Sequence, residues 1–212
     1  MLTLIKREIE DHIAFFVTAI IASVILVFTI LYMAYNFGNE ETRVMSFSFG
    51  TPFAIFLVTG LYLMGGSQMY NDKNKKILAF LSTHPVTRNQ IFFARIITGL
   101  LAILILLVPA AVAGQTLLNA YSRSLTYPIY PHYAAEIFSS LFLMALAVYC
   151  IGLQSGFHSN KMYHGIGMIF SFILLTLFLI KGFSPQLSVI LLVFIAASLL
   201  FTWKQFLKAP LI

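Results

Sequence analysis

Side chains able to make or break bonds are few and scattered in this chain: five histidines (His12, His84, His132, His158 and His164), one cysteine (Cys150) and seven carboxylates. No two histidines fall three or four residues apart, the spacing that places a pair of zinc ligands on one helix face. Ser155 precedes His158 by three residues, which brings a hydroxyl nucleophile and an imidazole base into one neighbourhood. Both occupy the same helix end, however, and the run Gly152-Leu-Gln-Ser155-Gly156 lacks the glycine spacing of a membrane-embedded nucleophile. No Gly-x-x-x-x-Gly-Lys-Ser/Thr loop is present to cradle a nucleotide. A single cysteine forms no intrachain disulfide. Neither catalytic residues nor metal ligands are expected.

The stretch from Lys75 to Arg95 offers docking instead of catalysis. Asn71-Asp72-Lys73-Asn74 is polar, and residues 75–84 then read as a short helix with Ile77, Leu78, Phe80 and Leu81 apolar. Pro85 stops that helix. Thr87-Arg88-Asn89-Gln90 is a Thr-x-x-Gln capping box that opens a new one. Such a segment can lie on lipid headgroups, or it can fit a groove on a cytoplasmic partner.

The elements that hold this segment are membrane spans. Of the 212 residues, 60% are hydrophobic and 9% charged, and the apolar runs reach the ~20 residues needed to cross a bilayer. Six spans are expected, near 13–36, 48–70, 88–118, 134–157, 164–180 and 187–203, all helical because lipid offers the backbone no partners. The fold class is therefore an all-α integral membrane protein, a single transmembrane domain over residues 1–212. Residues 1–12 read as an interfacial helix, with Leu2, Ile5, Ile9 and Ile13 on one face and Lys6, Arg7, Glu8, Glu10 and Asp11 around the rest. Of the 13 Lys and Arg residues, ten fall on the side of the two termini and three (Arg43, Arg123 and Lys181) on the other. That bias puts both termini in the cytoplasm of a multi-pass protein of the plasma (inner) membrane. The outer connections are 37–47, 119–133 and 181–186, the second carrying Tyr121, Tyr127, Tyr130 and Tyr133 at headgroup level.

No Asp, Glu, Lys or Arg falls near the middle of a span, which argues against a proton relay or an ion-coupled carrier. Gln115 and Gln154 are read as the largest polar groups within spans and as helix-to-helix contacts. Gly152-x-x-x-Gly156 permits close helix approach, and Pro109 is expected to kink the third span. His158 and His164 flank a cytoplasmic turn and are expected to be solvated.

The run Phe80-Leu-Ser-Thr-His-Pro85-Val-Thr-Arg88-Asn-Gln-Ile91 resembles a signature of ABC transporter permeases of the second exporter type: a leucine-rich helix, Pro-Val-Ser/Thr-Arg, then a new helix. The helix carrying Lys6-Arg7-Glu8 is similar to that family's elbow helix, and the span count extends the resemblance over nearly the whole chain. Two departures stand out. Asn71 to Lys75 replaces the usual Glu-Arg-x-x-Gly-Thr run, and the outer loop from Lys181 to Gln186 is too short for paired re-entrant helices.

The resemblance implies a transmembrane subunit that forms the path as a homo- or heterodimer with a second permease copy. It implies separate cytoplasmic ABC ATPase subunits that bind ATP and Mg, with no cofactor on this chain and no enzyme activity of its own. Residues 75–84 become the coupling helix, with Ile77, Phe80 and Leu81 as apolar anchors and Lys75, Lys76 and Arg88 as rim charges. In this family the first, second and fifth spans line the path. Thr18, Thr29, Tyr32 and Asn36, then Thr59 and Tyr62, then Ser171 and Thr176 are the lining candidates there. The alternatives are a haem-export type permease, a non-transport membrane scaffold recruiting a cytoplasmic ATPase, and a small membrane enzyme.

Overall fold

Long apolar stretches leave a backbone in lipid one way to satisfy its hydrogen bonds, which is the helix. The computed structural model describes residues 2–35, 40–74, 87–122, 131–158, 161–181 and 185–208, and every element among them is α-helical. In chain order these are α1 (Leu2–Asp11), α2 (Ile13–Tyr35), α3 (Glu40–Asn74), α4 (Arg88–Ser122), α5 (Pro131–Gly156), α6 (Lys161–Lys181) and α7 (Pro185–Lys208). Helices α2 to α7 each contain a stretch long and apolar enough to span a membrane: 13–32, 52–70, 88–116, 135–156, 162–180 and 186–207. The chain is a six-span, all-α, multi-pass membrane protein.

Each expected span is found, and the differences lie at the ends. α3 begins at Glu40, so most of the connection expected over 37–47 is helix; no proline interrupts residues 40–51. α5 and α7 start on Pro131 and Pro185, whose fixed φ suits a first helical position. α4 continues through Pro109, and α3 through Pro52. The capping box before α4 is formed in both directions: Thr87 N–H donates to Gln90 Oε1 at 3.1 Å, and Gln90 N–H to Thr87 Oγ1 at 3.4 Å. The expected coupling helix over 75–84 lies outside the described residues.

α5 is the centre of the bundle and packs against α3, α4, α6 and α7. Ala147, Val148, Tyr149 and Leu153 on it have no exposed surface. Lipid tails are as apolar as leucine, so helices here are held by close fit, not by escape from water. The α3–α5 contact shows this. A β-carbon at Gly65 would lie 2.5 Å from the Tyr149 carbonyl oxygen, and one at Gly152 would collide with the Tyr62 carbonyl. Gly156 meets the backbone of Gly66 in the same way, so Gly152-x-x-x-Gly156 is a backbone-to-backbone seam as its spacing suggests. On α4, Gly99 leaves the room that the Tyr149 ring fills.

α2 stands apart. It packs along α4 but meets α3 over a short stretch only, and it is the least buried of the spans. At the end that carries both termini, α7 closes on α4. Arg88 Nη1 donates to the Leu207 carbonyl at 2.8 Å, and Trp203 Nε1 to Asn89 Oδ1 at 3.1 Å. α1 lies against the first turns of α4 at this same end.

Candidate functional site

The polar chemistry of the described bundle gathers at this end, around Arg95. α4 carries an apolar stretch of 29 residues. At 1.5 Å per residue that is about 43 Å, well beyond a hydrocarbon layer of ~30 Å. Arg95 sits about 10 Å along α4 from Arg88, near the end of the bundle that carries both termini. It is nonetheless 1% exposed, enclosed by α1, α3, α5 and α7. Its Nε lies 3.5 Å from Glu8 Oε1, its Nη1 donates to Met69 Sδ at 3.2 Å, and its guanidinium carbon stands 5.3 Å from the Phe206 ring centre.

α1 delivers Glu8 because its apolar residues Leu4 and Ile9 pack on the core, which turns Glu8 inward beside them. His12 ends the helix and is buried with it. Its Nδ1 is 3.1 Å from the Glu8 carbonyl oxygen and 3.8 Å from Glu8 Oε2. The Glu8 carboxylate thus stands between a guanidinium and an imidazole. Removing one partner of such a buried pair leaves the other charge without compensation, at a cost of about 3–5 kcal/mol.

Tyr149 extends the cluster into the bundle. Its hydroxyl lies 2.6 Å from Gln68 Oε1 and 2.9 Å from the Arg95 carbonyl, so one proton faces two acceptors. Gln68 Nε2 is buried with no hydrogen-bond partner among the described residues. Turning the Gln68 carboxamide over resolves the conflict. Nε2 then donates to the Tyr149 oxygen, and the hydroxyl donates to the Arg95 carbonyl. Either way, Tyr149 ties α5 to α3 and to the base of α4.

Of the docking residues read from the sequence, Arg88 is described, and it caps the carbonyl end of α7. Lys75, Lys76, Ile77, Phe80 and Leu81 lie outside the described residues, as does Asn36 among the lining candidates. Thr18 and Thr29 both line a groove of about 620 Å³ between α2 and α3, with Ile25, Phe53 and Phe56. Their hydroxyls donate to Phe15 and Ile25 carbonyls of their own helix. Thr59 and Thr176 likewise bond Ile55 and Phe172. Tyr32 is exposed on α2. Tyr62 and Ser171 are buried: the Tyr62 hydroxyl donates across to the His164 carbonyl at 2.7 Å, and Ser171 bonds Gly167 of its own turn.

Gln154 joins α5 to α7 by accepting from Ser198 at 3.4 Å, the helix-to-helix contact expected of it. The two histidines expected in solvent are half-buried. His158 stacks on Tyr163 at 4.3 Å, and His164 meets the edge of Tyr70 at 6.0 Å, so each is partly shielded by an aromatic ring at the span end. Ser155 donates to the Gly152 carbonyl and His158 Nδ1 faces the Gln154 carbonyl, so neither engages the other. Among the described residues, no three His, Cys, Asp or Glu side chains converge to hold a metal.

No protein-family model, curated protein or solved structure matches this chain. The Arg95 cluster therefore rests on its own geometry. Sequence reasoning counted Arg95 among the orientation charges and as the end of the docking stretch, placed Glu8 on the polar face and passed over Gln68 as an intramembrane polar group. A signal was present: Ile91-Phe-Phe-Ala-Arg95-Ile-Ile buries a cation among apolar neighbours, and the carboxylates at that end are Glu8, Glu10, Asp11 and Asp72.

Proposed function

We propose that this chain is the transmembrane subunit of an ATP-driven exporter, working with a second permease copy and with separate ATPase subunits that hold ATP and Mg. The observation that carries this reading is the bracing of the first turns of α4. Residues 75–84, which resemble a coupling helix, shortly precede α4 in the sequence. Its first two turns are tied to α7 through Arg88 and Asn89, to α1 and α3 through Arg95, and to α5 through Tyr149. A push delivered by an ATPase to that segment would move five helices as one body.

α2 is the counterpart, loosely joined to α3 across the 620 Å³ groove. A stiff base beside a span that packs along α4 but barely meets α3 supplies the two parts that alternating access needs. The groove is apolar apart from Thr18 and Thr29, whose hydroxyls are already bonded to their own backbone. That lining suits an apolar or amphipathic cargo.

Purification in mild detergent from the native membrane tests the reading. The expected result is a stoichiometric polypeptide with a phosphate-loop ATPase fold, lost on Leu81→Asp or Phe80→Asp, whose ATPase activity rises with a transported ligand. A bound ATPase indifferent to every ligand would support a scaffold instead. An intact, monodisperse preparation without any ATPase would overturn the proposal.

A further inference from the structure

We draw no further inference here: the strongest candidate, the gap between α2 and α3 lined by Ala19, Ala22 and Gly60, continues the apolar groove already described, and nothing in the structure shows what covers it.

Discussion

Breaking the Glu8–Arg95 pair should detach α1 from the bundle. The pair is separated by 3.5 Å, with side-chain exposures of 16% for Glu8 and 1% for Arg95. At an effective dielectric of 20, Coulomb's law gives about 4.7 kcal/mol of gross attraction at that distance. Desolvation offsets much of this in the intact pair, but not in a variant that keeps one charge buried. Glu8→Gln should therefore cost about 3 kcal/mol, because Arg95 stays enclosed with its charge. Arg95→Met should cost less, about 2 kcal/mol, since Glu8 is the more exposed partner and still has His12 at 3.8 Å. The double variant removes both charges and should cost no more than the worse single, giving a coupling of about 2–3 kcal/mol. Trp203 is the sole tryptophan, and it is bonded to Asn89 beside this cluster. Its fluorescence during equilibrium unfolding by SDS in mixed micelles reads the change directly. Additive single effects, with a coupling under about 0.5 kcal/mol, would refute the clamp.

The remaining predictions concern packing and hydrogen bonding. Gly152→Ala should destabilise by more than about 2 kcal/mol, because its β-carbon meets the Tyr62 carbonyl and neither backbone can yield. Gly66→Ala should be far milder, its nearest neighbour being 3.7 Å away; equal unfolding midpoints for the two variants would contradict the seam. Gly60→Ala, with nothing within 4 Å, should be neutral or stabilising by up to ~1 kcal/mol in the same assay. Tyr149→Phe should cost about 1–3 kcal/mol by orphaning buried groups on α3 and α4. Adding Gln68→Leu should recover part of that loss, and a further loss on the double variant would exclude a shared bond.

The spans were legible because their signal is one of length and composition, which the bilayer imposes on each helix separately. The capping box at Thr87 was legible for a similar reason, since its two hydrogen bonds join residues three apart. The glycine seam was half legible: Gly152-x-x-x-Gly156 announces a close approach, but only the fold reveals that its partners are Tyr62 and Gly66. The Arg95 cluster was not legible. Glu8 and Arg95 are 87 residues apart, and Gln68 and Tyr149 are 81 apart. A period of 3.6 residues carries no information across such distances. The rule that cations favour the inner face also gave Arg95 a sufficient explanation, which hid the need for a partner.

The position of that cluster determines what it can transmit. Hydrophobic contacts in a membrane bundle slide at little cost, because lipid replaces a lost leucine contact almost without penalty. An enclosed ion pair cannot slide in that way, since any displacement exposes a charge to hydrocarbon. Helices joined at Arg95 are therefore held in register more firmly than helices joined by packing alone. α2 meets α3 over a short stretch only, and its hydroxyls at Thr18 and Thr29 are spent on its own backbone. If a partner moves the segment preceding α4, the fixed and the free contacts divide the response. α1, α4, α5, α7 and the near end of α3 go together, and the change in shape falls on the groove between α2 and α3. A crosslink across that groove, between cysteines replacing Ile25 and Phe56, should then abolish any partner-driven cycle. The same crosslink placed between α1 and α4 should leave it running. Equal inhibition by both would show that the base itself must open, and the division of labour inferred from the ion pair would fail.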